Sequence, residues 1–370
     1  MIFQIHTPGT TLIPSPNRYS LRMSTCFDLL GLSAPIVQAP MAGVQNHRLA
    51  AAVCMAGGLG SLPAAMLSPG DLQAQLQALS QATDKPYNVN FFCHAVPTPD
   101  AAKEAAWRQQ LLPHYRELGL DATNIPSGPG RVPFNHDSAD VLAPFRPAVV
   151  SFHFGLPSAE LVDRVKSWGS LILSSATTVE EALWLQDHGV DAVIAQGLEA
   201  GGHRGMFLTS DVSTQMGSLA LLPQIVEAVR VPVIAAGGIA QAAGLQAAKA
   251  LGAAAVQIGT AYLCSDEATT SALHRAALRS PAARHTALTN VFTGRPARGI
   301  VNRAMQALGP ISPLAPAFPL ATAAMGPLRA AAEAQGSSDF TPLWAGQNTA
   351  HIQARPAADI THDFIAAWRD

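Results

Sequence analysis

Short apolar runs recur along the chain, and each one stops at a glycine, a proline or a polar residue. The runs are four to six residues long: Pro35–Ala39, Gly58–Leu62, Tyr87–Phe92, Ala148–His153, Leu171–Ser175, Ala192–Gln196, Val233–Ala236 and Ala255–Ile258. Because they are apolar almost throughout, they predict strands of a parallel sheet that is covered on both faces.

Helical patterns lie between these runs, at Asn46–Met55, Ser68–Ala82, Ser158–Trp168, Val179–His188, Leu219–Val229 and Ala240–Leu251. Most strand-to-strand spacings are roughly 20 to 30 residues, the size of one βα unit. Eight such units predict an α/β fold, a (β/α)8 TIM barrel with a small helical subdomain after strand 8. An open doubly wound sheet is the alternative.

The runs and intervals also predict how the chain is divided. Residues 24–265 are expected to form the barrel, 266–342 a helical subdomain over its mouth, and 343–370 a segment that packs back on the barrel. The long interval His94–Pro147 is expected to contain local structure or to serve a function. The glycine-rich interval Gly197–Met216 suits a lid, a pocket wall or a plain surface loop.

Composition narrows the function classes. The 370 residues are 48% hydrophobic and 13% charged, with a net charge of -2, which favours a buried core and does not indicate nucleic-acid binding. No signal peptide or membrane-spanning run is recognised, so we expect a cytoplasmic protein. The four scattered cysteines do not suggest a disulfide framework, and neither they nor the histidines form a metal-binding pattern.

Candidate chemistry clusters where the predicted strands end, since barrel active sites lie at the carboxyl ends of the strands. The turns Gly237–Gly238 and Gly259–Thr260 follow the last two strands, where phosphate sites are frequent. Amide side chains that suit a flat heterocycle stand at Asn90, Gln196 and Gln257.

Three further groups are candidates for catalysis or ligand binding. His153 ends a strand between two phenylalanines, where an imidazole can act as a general base or be a structural residue. The paired glycines Gly201 and Gly202 allow a ligand to approach the backbone, and His203 or Glu199 is a candidate to line the pocket, although both suit a plain loop equally well. Arg295 and Arg298 in G-R-P-A-R-G suit phosphate or a small carboxylate or nitro anion, or form surface ion pairs.

Taken in order, these motifs resemble nitronate monooxygenase, formerly called 2-nitropropane dioxygenase. The resemblance covers about Ile36 to Asn302 and a short motif near the end. The motifs are Q-A-P-M-A-G (38–43), N-V-N-F-F (88–92), S-F-H-F-G (151–155), Q-G-L-E-A-G-G-H-R-G (196–205), P-V-I-A-A-G-G-I (232–239), Q-I-G-T (257–260), G-R-P-A-R-G (294–299) and W-A-G-Q (344–347).

The resemblance implies an FMN-dependent enzyme that oxidises alkyl nitronates, such as propionate 3-nitronate, with O₂. It implies that His153 is the catalytic residue, and it leaves His203, Arg295 and Arg298 as candidate substrate contacts. The expected cofactor contacts are Ala39, Pro40, Met41, Ala42, Asn90, Gln196, Gly201, Gly202, Ala236, Gly237, Gly238, Gln257, Ile258, Gly259 and Thr260.

Two other functions stay open at this point. An NAD(P)H-dependent flavin reductase, acting on quinones or enoyl thioesters, shares this barrel and similar glycine turns. A non-catalytic barrel that binds a phosphate or nucleotide is the alternative from another class. The oligomeric state and the physiological nitronate are not predicted.

Overall fold

The computed structural model describes residues 30–126 and 131–370. The expectations for the N-terminal segment, including the barrel boundary at residue 24, therefore lie outside the described residues. Within those two ranges, no helix combines the length and the hydrophobicity needed to cross a membrane.

Eight parallel strands form the central sheet, in the order β1-β9-β8-β6-β5-β4-β3-β2. In chain order the strands are β1 (Ile36–Gln38), β2 (Gly60–Pro63), β3 (Tyr87–Phe92), β4 (Val149–His153), β5 (Leu171–Ala176), β6 (Ala192–Gln196), β7 (Gly202–His203), β8 (Val233–Ala236), β9 (Ala255–Ile258), β10 (Thr286–Thr289) and β11 (Ala297–Ile300). A parallel bridge between Val37 and Leu59, just before β2, joins the two ends of the sheet. The predicted barrel is confirmed, and the open sheet is wrong.

The helices of the described residues include one after most barrel strands. In chain order they are α1 (His47–Met55), α2 (Pro69–Ala82), α3 (Ala101–Glu117), α4 (His136–Leu142), α5 (Ala159–Ser167), α6 (Val179–Asp187), α7 (Ser218–Ala228), α8 (Ala242–Ala250), α9 (Ala272–Arg279), α10 (Arg303–Leu308), α11 (Ala321–Ala334) and α12 (Ala357–Arg369). Side-chain caps begin several of them: Ser68 accepts from the Asp71 amide, and Thr178 from the Glu181 amide.

Two hydrophobic layers hold the barrel together. Alternate strand residues such as Val37, Leu173 and Ile234 form one buried cluster. Their neighbours, such as Ile36 and Ile172, belong to a larger cluster shared with the surrounding helices. Since successive strand residues point to opposite faces, the first cluster fills the barrel and the second joins it to its helices.

The long interval between β3 and β4 contains α3 and α4, and α3 packs away from the barrel. Trp107, Leu111 and Tyr115 are buried in a cluster with Met325 and other residues of α11. The Tyr115 hydroxyl donates to the Ala324 carbonyl at 2.6 Å. The interval and the segment after β9 therefore share one core, although some 200 residues separate them along the chain.

A β-hairpin that the sequence did not predict follows the barrel. Strands β10 and β11 pair antiparallel, and β11 pairs with the short β7, which belongs to the loop after β6. Further along, α12 packs on α1 and α8, and the hydroxyls of Thr361 and Tyr262 lie 3.0 Å apart. The division of the chain at residues 266 and 343 stays a prediction.

Candidate active site

A cavity opens at the carboxyl ends of the barrel strands. Its empty volume, open mouth included, is about 1320 Å³. Most of the predicted site residues line it: Ala39, Pro40, Met41, Ala42, Asn90, His153, Gln196, Gly201, Gly202, His203, Ala236, Gly237, Gly238, Gln257, Gly259 and Thr260. The structure thus brings together residues from six strand ends.

The turns after β8 and β9 present backbone donors to this cavity. Gly237 and Gly238 have φ angles of 115° and 73°, a region that side chains other than glycine rarely adopt. Among the hydrogen bonds of the described residues, the N–H groups of Gly238 and Gly259 have no acceptor. Free amides at adjacent turns suit an anion such as a phosphate.

The segment that follows Trp344 closes this side of the cavity. The Gly346 amide donates to Thr260 Oγ1 at 2.9 Å, and Asn348 Nδ2 donates to the Gly238 carbonyl at 3.1 Å. A Cβ on Gly201 would lie 2.5 Å from backbone atoms of Ala345 and Gly346. Glycine at 201 is therefore required for the loop after β6 to pass beneath this segment.

The three predicted amide side chains have different surroundings. Gln257 Oε1 is buried and has no hydrogen-bond partner among the described residues. Asn90 donates through Nδ2 to Ser151 Oγ at 3.0 Å. Gln196 donates to the His203 carbonyl at 2.9 Å and accepts from the Gly205 amide at 2.7 Å, so it holds the loop after β6. Gln257 thus has the acceptor that a bound ring N–H would satisfy.

His153 lies at the end of β4 with both ring nitrogens engaged. Nε2 is 3.1 Å from the His203 carbonyl, and Nδ1 is 3.0 Å from Ser175 Oγ. Because a carbonyl only accepts, Nε2 carries the hydrogen in the neutral ring and Nδ1 carries the lone pair. The Ser175 hydroxyl then donates to Nδ1.

Burial keeps this imidazole neutral. Desolvation lowers the pKa of His153 from 6.5 to about 4, the His203 carbonyl opposes that shift, and Arg295 and Arg204 add to it. Burial also lowers the pKa of His203 well below 6.5, with Arg131 the largest of the charged contributors. Both rings are neutral near pH 7, as a general base must be.

Two charged side chains, the buried Arg204 and the half-buried Glu199, hold the loop after β6 through hydrogen bonds. Arg204 donates to the carbonyls of Gly197 and Gln196, both at 2.7 Å. Glu199, predicted as a possible wall residue, instead accepts from the amide and hydroxyl of Ser218 at the start of α7. The loop contributes Ala200, Gly201, Gly202 and His203 to the cavity wall.

The structure does not place Ile258, Arg295 or Arg298 in the cavity wall. The Ile258 side chain is buried among the residues that face the outer helices. Arg295 stacks on the Phe154 ring, with its Cζ 4.0 Å from the ring centroid, and donates to the Met206 carbonyl. Arg298 donates to the Leu198 carbonyl at 2.8 Å.

Several wall residues were missed by sequence reasoning. They include Phe92, Arg131, Ser175, His274, Trp344, Ala345, Gly346 and Asn348. Phe92 and Ser175 end predicted strands, and four of the others belong to or adjoin the W-A-G-Q motif, so strand ends and that motif were signals available in the sequence. Arg131 follows a proline- and glycine-rich segment and had no such signal.

The described residues contain no group of three or more His, Cys, Asp and Glu side chains arranged to hold a metal ion. The cavity wall instead offers free amides, one unpaired amide oxygen, a neutral imidazole and a guanidinium. This set of groups suits a phosphorylated ring compound next to a small organic anion.

The similar sequences that follow are those of nitronate monooxygenases. The family described as "Nitronate monooxygenase" matches residues 23–366. The nitronate monooxygenase of Paraburkholderia phytofirmans is 43% identical over 341 residues, or 90% of this chain and 91% of that protein. The one of Pseudomonas aeruginosa is 41% identical over 348 residues, or 92% and 98%.

A solved structure of nitroalkane oxidase from Streptomyces ansochromogenes has a TM-score of 0.85 and 39% identity. The match covers 93% of this chain and 98% of that one. The family match at residues 23–366 spans the barrel, the insertion after β3 and the segment that closes the cavity. The chain therefore belongs to the nitronate monooxygenase family and is an oxidoreductase.

Proposed function

We propose that this enzyme oxidises alkyl nitronates, such as propionate 3-nitronate, with O₂ and with FMN as its cofactor. The observation that carries the proposal is that one cavity combines free amides at two glycine turns with a neutral, hydrogen-bonded imidazole. The names of its relatives support nitronate oxidation, and the chemistry of the cavity wall supports the cofactor.

The wall residues fit FMN on two points. The free N–H groups of Gly238 and Gly259 would hold the phosphate. The unpaired Oε1 of Gln257 would accept from a ring N–H, since leaving a buried acceptor unpaired costs about 1–3 kcal/mol. When bound, FMN supplies the electron acceptor for the nitronate and the centre that reacts with O₂.

His153 acts on the proton of the substrate. A nitronate is already an anion and needs no base, whereas a neutral nitroalkane must lose the proton on the carbon that bears the nitro group. The lone pair of His153 is on Nδ1, and Nε2–H is held by the His203 carbonyl. The ring therefore accepts a proton at Nδ1 when the Ser175 hydroxyl turns away.

Anaerobic mixing of the purified protein with candidate substrates tests the proposal. We expect a yellow protein whose visible flavin absorbance is bleached by propionate 3-nitronate and is not bleached by NADPH. Admission of O₂ should restore the colour and release nitrite. Bleaching by NADPH alone would establish a flavin reductase instead, and a colourless protein that turns over no nitronate would indicate a binding barrel without activity.

A further inference from the structure

Arg131 is a cation in the cavity wall to which neither the sequence motifs nor the proposed reaction assigns a role. It belongs to the insertion between β3 and β4, and its backbone is fixed at the end of β3. His94 Nε2 donates to the Arg131 carbonyl at 3.1 Å, and the Phe134 amide donates to the Phe92 carbonyl at 2.8 Å. The guanidinium therefore extends from a well-anchored base.

Aromatic rings, and none of the described carboxylates, surround the guanidinium. Its Cζ lies 5.9 Å from the centroid of the Phe92 ring and 5.5 Å from that of Phe318, within the range of cation–π contacts. Across residues 30–126 and 131–370, no Asp or Glu oxygen lies within 4.0 Å of Arg131 to form an ion pair. A guanidinium in such surroundings is available to an anion that enters the cavity.

The other charged and titratable groups nearby do not neutralise it. Arg295 is a second cation, and the rings of His94 and His203 are held neutral because burial and these cations lower their pKa values. This part of the cavity therefore has a positive potential. A positive potential in a partly buried wall attracts small anions and binds them more strongly than an exposed arginine does.

The sheet order separates Arg131 from the proposed phosphate site. In the closed barrel, β3 and β8 lie on opposite sides, four strands apart in either direction. Arg131 lies beside the ring of Phe92, the last residue of β3, and the Gly237–Gly238 turn follows β8. A phosphate held at that turn lies across the mouth from Arg131, so the guanidinium is left for another anion.

The catalytic imidazole lies on the same side as Arg131. His153 ends β4, the neighbour of β3, and its ring centroid is 5.8 Å from that of Phe92. The Phe92 ring thus contacts both the imidazole and the guanidinium. A molecule whose reacting carbon is at His153 therefore extends its other end toward Arg131.

We propose that Arg131 binds a carboxylate carried at the far end of the substrate, so that the enzyme selects nitronates that are also short carboxylic acids. This inference rests on the proposed function. Arginine suits the role because its planar fork donates two parallel hydrogen bonds to a carboxylate. Arg131 is a binding and specificity residue here and takes no part in the proton transfer.

The test compares two substrates of similar size on the holoenzyme. Propionate 3-nitronate carries the carboxylate, and in butyl-1-nitronate an ethyl group replaces it. In Arg131→Gln, the KM for propionate 3-nitronate should rise about 10- to 100-fold, as expected for losing hydrogen bonds to a charged group. The KM for butyl-1-nitronate and both kcat values should stay within about twofold. Arg116→Gln, on the exposed part of the same insertion, is the matched control and should leave the KM of both substrates unchanged.

Succinate provides a readout that needs no turnover, because it has the shape of propionate 3-nitronate with a second carboxylate in place of the nitronate. Isothermal titration of the holoenzyme should detect succinate binding in the wild type and in Arg116→Gln, and at least tenfold weaker binding in Arg131→Gln. Flavin content and thermal midpoint of each variant show that it is folded and loaded.

The outcomes separate this inference from the proposed function. If Arg131→Gln raised the KM values of both substrates equally, or raised neither, the role of Arg131 would be overturned while nitronate oxidation stands. If the wild-type enzyme oxidised no nitronate, the proposed reaction would be wrong. Succinate titration then still decides whether Arg131 is a carboxylate site, since unchanged binding in the variant overturns it.

Discussion

The two sides of the cavity mouth present different chemical groups. The glycine side, made of Gly237, Gly238, Gly259 and Gly346, presents mainly backbone amides and almost no side-chain bulk. The ring side, made of Phe92, Arg131, His153 and Phe318, is built from aromatic rings, an imidazole and a guanidinium. A phosphate needs the first kind of surface, whereas a reacting carbon that must be selected and deprotonated needs the second.

The two sides also differ in how the chain assembles them. Three of the four glycines of the glycine side come from one contiguous β–α–β unit, within residues 233–259. The ring side draws on a strand end, the insertion, the next strand end and a residue after the barrel. The proposed phosphate contacts are thus mostly local in the sequence, whereas the residues of the ring side, proposed to contact the substrate, come from segments more than 200 residues apart.

Replacing the base on the ring side should have the largest effect. In His153→Asn, the amide still donates to the His203 carbonyl, but no basic lone pair is left. We expect kcat/KM for a neutral nitroalkane to fall about 10²- to 10⁴-fold, with flavin content unchanged. The value of kcat/KM for the preformed nitronate should fall far less, because a nitronate needs no base. Oxygen consumption with nitroethane and with ethyl nitronate measures both.

An equal loss with nitroethane and ethyl nitronate would show that His153 acts on binding or on the flavin and not on the proton. Unchanged turnover of both would remove it from the mechanism. His351→Asn, an exposed histidine, is the control and should behave as the wild type.

Adding a side chain beside the glycine side should have the next largest effect. In Gly201→Ala, the added Cβ would lie 2.5 Å from backbone atoms of Ala345 and Gly346, so one segment has to move. We expect a loss of about 1–3 kcal/mol in the free energy of unfolding and a lower flavin content after purification. Thermal melting and the ratio of visible to ultraviolet absorbance measure the two.

The matched control is Gly326→Ala in α11, where the new Cβ meets nothing within 4 Å. There we expect a gain of about 0.5–1 kcal/mol, since alanine is the better residue inside a helix. If Gly201→Ala and Gly326→Ala had the same stability and flavin content, the packing of the loop against the closing segment would not matter for the site.

The contrast between the two sides also explains what the sequence could predict. Runs such as Tyr87–Phe92 and Ala192–Gln196 match β3 and β6 to the residue, because a strand buried on both faces is apolar at most of its positions. The turns at Gly237–Gly238 and Gly259–Thr260 follow from where those runs end. Local patterns therefore sufficed for the barrel and for the glycine side.

Local sequence patterns could not predict contacts between segments that are far apart in the chain. The hairpin of β10 and β11 is short, and its pairing with β7 depends on two segments about 95 residues apart meeting at the mouth. Arg298 looked like an anion ligand in G-R-P-A-R-G, yet that pairing directs it to the Leu198 carbonyl. Arg131 reaches the cavity because the His94 ring and the hydrogen bond from Phe134 to Phe92 hold its segment at the end of β3, which no local pattern indicates.

Stability should fall in acid, because two histidines of the cavity wall stay neutral in the folded protein. Burial lowers the pKa values of His153 and His274 from 6.5 to about 4. Between those values the unfolded chain binds protons that the folded protein does not. Stability is therefore complete above about pH 6.5 and falls toward pH 4, by up to about 1.4 kcal/mol per pH unit for each ring.

Urea unfolding of the wild type, His274→Asn and His351→Asn over this pH range measures the effect. The slope of stability against pH should be shallower in His274→Asn and unchanged in His351→Asn. Because the carboxylates that titrate in the same range are common to all three proteins, only the difference between slopes is interpreted. Parallel slopes would show that His274 does not stay neutral in the folded protein.

Removing the hydroxyl that orients the imidazole should have the smallest effect. Ser175 Oγ lies 3.0 Å from His153 Nδ1, whereas the adjacent Ser174 donates to the Gly155 carbonyl at 2.9 Å on the other face of β5. One neutral hydrogen bond contributes about 1 kcal/mol, so Ser175→Ala should lower kcat/KM for a neutral nitroalkane about fivefold. Ser174→Ala is the matched control and should leave it unchanged.

The pH profile distinguishes positioning from mere packing in Ser175→Ala. Donation from the hydroxyl favours the neutral ring, so its loss makes Nδ1 easier to protonate and raises the pKa of His153. The acidic limb of kcat/KM for nitroethane should therefore move to higher pH in Ser175→Ala and stay in place in Ser174→Ala. A fivefold loss with an unmoved limb would mean that Ser175 only fills space, and the ring side would then hold its imidazole through the His203 carbonyl alone.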